Sequence, residues 1–140
     1  MKTKCVLQKV SAIVLTCFIC SWSHSAQDPL VGVWTGFDSS GEGASMVFYA
    51  DGAVTFIQGD LVLDPKSVGG SLIWRIDRTK NPMHLDLIAT KATGETQTLP
   101  FIVRFITDRK IQVKMAEDMK TRPVTFSENE DSNQIVLDKE

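Results

Sequence analysis

Apolar and polar residues alternate with a period of two along most of the chain after residue 30. In residues 45–50, Met46 and Phe48 fall on one side and Val47 and Tyr49 on the other. Extended chain points successive side chains to opposite faces, so this period predicts β-strands. The same reading groups Val54 with Phe56 in 53–58, and Leu72 with Trp74 and Ile76 in 71–78. In 83–90 it sets Met83, Leu85, Leu87 and Ala89 against His84 and Asp86. Leu99, Phe101, Val103 and Phe105 align in 98–107; Ile111, Val113 and Met115 align in 110–116, with Lys110, Gln112 and Lys114 opposite. Shorter runs at 33–37, 124–127 and 134–138 complete the set. No useful stretch of helical period follows the N-terminal segment, and Asp64-Pro65-Lys66 reads as a turn or one loose helical turn.

Turn chemistry separates these runs. Asp51-Gly52 lies between two of them and predicts a type I′ hairpin turn, which needs positive φ at both central residues. Gly94 and Asp108-Arg109 mark further turns. Some eight or nine strands with short connections define an all-β fold, expected as a small antiparallel meander barrel, with a β-sandwich as the alternative. Ile57, Ile73, Ile88, Ile102 and Ile106 oppose the main apolar faces of their strands and would lie outside such a barrel.

The N-terminus follows a different rule. Lys2, Lys4 and Lys9 form a basic region, 10–20 is apolar, and Ser23-His24-Ser25 offers small residues for cleavage. That layout predicts a secretory signal peptide over 1–25, leaving one domain over 26–140 and a secreted or periplasmic location. The apolar run is shorter than the roughly 20 residues of a membrane helix, so no stable membrane span is expected after cleavage. Cys5, Cys17 and Cys20 all leave with the signal, so neither disulfide nor thiol chemistry is expected. The remaining chain has 12 basic and 17 acidic residues, net −5, which disfavours nucleic acid as a partner.

Residues able to carry catalysis are sparse. His84 is the one histidine left after cleavage, and it shares a strand face with Asp86. A His/Asp pair on an outer surface is more often an ordinary ion contact than a dyad, and no cysteine or second histidine completes a metal set. Ser39-Ser40-Gly41 is a polar loop, and Gly69-Gly70 lacks the strand–loop–helix context of a phosphate cradle. The expectation is a non-enzyme without cofactor or metal.

Three segments carry a resemblance. Leu30-Val31-Gly32-Val33-Trp34 resembles the opening strand of lipocalin-like barrels, with its Gly-x-Trp. Asn81-Pro82-Met83-His84-Leu85-Asp86-Leu87 and Lys120-Thr121-Arg122-Pro123-Val124-Thr125-Phe126 extend the likeness to a family of exported, short lipocalin-like domains of planctomycete-type bacteria, whose function is unknown. The chain departs from lipocalins at Thr107-Asp108-Arg109, where they carry Thr-Asp-Tyr. The resemblance implies a barrel with Trp34 near its closed end and Arg122 packed over it as a cation. Trp74 shares a strand face with Leu72 and Ile76, which places it in the core or against a ligand. It implies an exported binding module for a small apolar or amphipathic ligand, which would need an open apolar cavity of about 300 Å³ or more. A filled barrel would instead suit a protein-interaction or envelope structural module, with an unknown envelope protein as partner.

Overall fold

The computed structural model describes residues 26–131 and 133–140. The segment read as a signal peptide, 1–25, lies outside the described residues.

The alternating runs form nine antiparallel strands among the described residues: β1 (Gly32–Phe37), β2 (Gly43–Phe48), β3 (Val54–Gln58), β4 (Leu61–Leu63), β5 (Gly70–Asp77), β6 (Met83–Lys91), β7 (Thr96–Thr107), β8 (Lys110–Met115) and β9 (Gln134–Lys139). One helical turn, α1 (Pro65–Val68), joins β4 to β5. The sheet order β4-β3-β2-β1-β9-β8-β7-β6-β5 is a meander whose last strand returns to pair with its first. The result is a nearly closed, barrel-shaped sheet. Closure at the chain ends is a regular ladder, from Trp34↔Lys139 to Phe37↔Val136. Between β4 and β5 there is no ladder. There the edge of β3 meets β5 through one bridge, Ala53↔Ile73, and the Trp74 N–H donates to the Gly52 carbonyl at 2.9 Å.

Three hairpins use one device. At 38–42, 49–53 and 91–95 the first residue of the loop accepts from a glycine three positions on and donates to the carbonyl four positions on. Gly41, Gly52 and Gly94 take φ of +83°, +94° and +88°. This is the three-residue loop that ends in a left-handed glycine bulge. The type I′ turn expected at Asp51-Gly52 is therefore corrected. Only Gly52 has positive φ there, and Asp51 Oδ1 accepts from the Ala53 N–H at 2.9 Å.

The faces follow the alternation. Met46, Phe48, Val54, Phe56, Leu72, Leu85, Leu87, Leu99, Phe101, Val103, Ile111 and Val113 are buried in one core, with Trp74, Ile76, Met83 and Phe105 packed at its margins. Opposite walls touch inside. Phe56 and Phe101 meet edge to face at 5.7 Å, although four strands lie between β3 and β7 in the sheet order. Side chains thus occupy the barrel axis at that level.

Two runs differ from expectation. The three apolar residues of β4 show no alternation, and sequence pattern does not separate them from a loop. The run 124–127 is not a strand. Its backbone finds another partner: the Gln134 side-chain amide accepts from the Ser127 N–H at 2.7 Å and donates to the Ser127 carbonyl at 3.0 Å. This irregular stretch lies against the outside of the sheet, where Arg104 stacks over Phe126 at 4.6 Å. Ile102, on the outward face of β7, is only 1% exposed, which corrects its expected place on the surface.

Candidate functional site

Trp34 is wholly buried, and its indole N–H donates to the Leu30 carbonyl at 2.7 Å. Phe105 packs edge-on at 6.3 Å. The cation over the ring is Lys139, whose Nζ lies 5.3 Å from the centroid and donates to the Pro29 carbonyl at 3.0 Å. Gly32 makes room for this lysine: a Cβ there would sit 2.7 Å from Lys139 Cε, and its φ of +141° already disfavours other residues. The Gly-x-Trp element therefore packs closely against the last strand where β1 and β9 pair. Arg122 does not take the place over Trp34. Its guanidinium donates to the Phe101 carbonyl at 2.8 Å and to Asp86 Oδ1 at 2.5 Å, tying the stretch after β8 to β6 and β7. The Asp86 carboxylate, on the same strand as His84, is thus paired with arginine.

Trp74 is part-exposed at the unladdered seam. Its indole N–H donates to the Tyr49 carbonyl at 3.2 Å, and its ring meets Phe48 edge to face at 5.4 Å. The site expectations at Trp34, Trp74 and Arg122 are not brought together. Each serves a different joint of the barrel.

Two clefts among the described residues bear on function. The first is a groove of about 510 Å³ across β1, β2, β3 and β9, lined by Thr35, Gly36, Phe37, Ala44, Ile57 and Asp138. Phe37 is 72% exposed there. Its neighbour across β2 is Gly43, which offers no side chain to cover it, and its neighbour on β9 is Val136, itself exposed. Ile57 and its cross-strand partner Val62 extend the apolar surface on the β3–β4 side. The alternation held the signal for Phe37: with Trp34 inward, the residue three positions on must point out.

At the rim beside this groove Asp38 is almost fully buried. One carboxylate oxygen accepts from Ser40 Oγ at 2.6 Å and from the N–H groups of Ser40 and Glu42 at 2.9 Å; the other accepts from Gln58 Nε2 at 3.0 Å. The Ser40 hydroxyl first, then Gln58 and the Glu42 amide, pull its pKa down to about 2. The turn between β1 and β2 is thereby pinned to β3.

The second cleft, about 720 Å³, opens on the outer face of β5 and β6. Arg75, Asp77, His84 and Asp86 form its floor, with Asp28, Arg78 and Arg122 around it. Arg78 pairs with Asp28 at 2.6 Å. Burial works to raise the Asp28 carboxyl, but Arg78 and the Leu30 amide outweigh it and hold the group below the usual carboxylate range. The Thr79 hydroxyl, then its N–H, lower Asp77 in the same way.

Among the described residues no group of three or more His, Cys, Asp or Glu is placed to hold a metal ion, and no helix is long and apolar enough to cross a membrane. The fold defines a small all-β barrel. Comparison with protein-family models, with curated proteins and with solved structures finds no match.

Proposed function

We propose that this chain is an exported, non-enzymatic binding module that engages a protein partner through the outside of its barrel. The observation behind the reading is Phe37, 72% exposed over bare glycine backbone in a groove with further apolar residues beside it. A phenylalanine left in water forgoes about 1.5–3 kcal/mol that burial would recover, and aromatic anchors of this kind concentrate binding energy at protein interfaces. The interior gives less support to a small apolar ligand, because Phe56 and Phe101 meet across it. The competing reading, a small ligand in the barrel mouth, remains the alternative outcome of the test. Export rests on the N-terminal pattern, and membership of the exported lipocalin-like family rests on the resemblance in the sequence.

A photo-reactive residue in place of Phe37, in protein expressed in its own host, tests the proposal. The expected result is one defined cross-linked envelope or secreted protein, absent when the same residue replaces Lys66 on α1, and lost when Ile57 is also changed to Ser. Equal cross-linking from both positions would overturn it. So would a lipid-like adduct in native mass spectrometry of the host-purified protein, coupled with no cross-link from Phe37.

A further inference from the structure

We infer that the cleft on the outer face of β5 and β6 is a binding site for a small ligand carrying a carboxylate or phosphate group. It lies on strands other than those of the Phe37 groove and stands independently of the proposal made for that groove.

Its charges balance formally, with three arginines against three aspartates around one histidine. The balance of hydrogen-bonding capacity is different. Each aspartate is engaged within the protein through one of its oxygens. Asp28 Oδ1 accepts from Arg78 and from the Leu30 N–H, at 2.6 and 2.9 Å. Asp77 Oδ1 accepts from the Thr79 hydroxyl and N–H, at 2.6 and 2.9 Å. Asp86 accepts from Arg122.

The donors are not used up to the same extent. Arg75 makes no hydrogen bond or ion pair among the described residues, and neither does the His84 side chain. Arg75 is the cross-strand neighbour of Asp86, whose carboxylate is bonded to Arg122 instead. His84 is the cross-strand neighbour of Asp77, whose bonded oxygen is occupied by Thr79. Arg78 has donors left beyond its one bond to Asp28.

The cleft therefore presents one free planar fork, a second fork partly free, and an imidazole, all lining the same space. A guanidinium fork matches the paired oxygens of a carboxylate or phosphate, and lysine-type point charges do not reproduce that match. Arg122, fixed at both ends to Phe101 and Asp86, supplies a standing positive charge at the wall. Asp77 and Asp86 share the floor of the cleft as the cross-strand partners of His84 and Arg75, so the ligand is a compact anion held by those two donors and not a polyanion.

NMR titration of the arginine Nε–H and imidazole signals tests the site, using inorganic phosphate in one arm and succinate in the other, with chloride replacing the anion to hold ionic strength constant. Saturable shifts confined to Arg75, Arg78 and His84 are expected. Saturation by phosphate alone or by succinate alone assigns the ligand's anionic group. Arg75→Gln weakens binding about tenfold or more, as loss of a charge-assisted hydrogen bond requires. Arg75→Lys restores it only in part, and Lys66→Gln leaves it unchanged. Arg75 and Lys66 are exposed and His84 is half-buried, and the backbone spectrum of each variant confirms its fold. Linear shifts that chloride reproduces, or full affinity in both Arg75→Gln and His84→Ala, would overturn the inference.

Discussion

The barrel is sealed twice, and the two seals differ in kind. Where β1 meets β9, residues about 100 apart in sequence pair in a regular ladder, with a buried indole beneath a lysine. Where β4 approaches β5, the strands are joined by a single short helical connection, yet no ladder forms between them. There a bridge, two hydrogen bonds from Trp74 and one aromatic contact with Phe48 do the sealing. Nearness in sequence does not decide which strands pair. The first seal has a glycine where the backbones must close up: a Cβ on Gly36 would strike the Val136 carbonyl. At the second, α1 is inserted instead. Asp64 and Ser67 cap it reciprocally, Gly69 ends it with φ of +69°, and Val68 is turned toward the core. A helix so inserted fills the gap without completing the sheet.

The largest expected effect lies at the first seal. Trp34→Ala removes a wholly buried ring and strands the Leu30 carbonyl, so it costs about 3–5 kcal/mol. Gly36→Ala acts through overpacking at the same seam, at about 1–3 kcal/mol. Denaturant unfolding measures both. At the second seal Trp74→Phe keeps an aromatic contact with Phe48 and loses the bond to Tyr49. Its cost is about 0.5–1.5 kcal/mol. Should Trp74→Phe prove as damaging as Trp34→Ala, the ranking of the two seams is wrong.

The asymmetry also shows what sequence could and could not reveal. Alternation identified the inward faces of β5, β6, β7 and β8 residue by residue, because each has one buried side and one wet or covered side. It missed β4, whose Leu61, Val62 and Leu63 are apolar on both sides. It misread 124–127, where Val124, Thr125 and Phe126 alternate properly but a glutamine side chain, not a strand, satisfies Ser127. Trp34 was legible as a buried aromatic of the first strand, whereas the cation over its ring was not. Lys139 comes over the ring only through the β1–β9 register, and Arg122 instead follows Asp86 and the Phe101 carbonyl. The two outer clefts were still less visible. Arg75, His84 and Arg122 share a space because of strand pairing and a crossing loop, neither of which has a local sequence mark.

The smallest effect concerns pH and sharpens the same contrast. Asp38 locks the β1–β2 turn to β3 through Gln58, on the side of the molecule that the ladder closes. Its pKa lies at about 2 in the folded chain against an ordinary 3.8. A carboxyl depressed by folding contributes stability that is fully present above the ordinary value and is lost as pH falls through the folded one. Asp38→Asn lacks that contribution at every pH. The melting temperatures of wild type and variant should therefore stand furthest apart near neutrality and converge as pH drops from about 4 to about 2. Comparing the two proteins at each pH cancels the similar depression of Asp28, Asp77, Asp118 and Asp131, which both retain. A gap that stays constant down to pH 2 would mean that the hydrogen bonds to Asp38 hold the turn equally well without its charge. The rim of the ladder-closed side would then owe its order to shape alone.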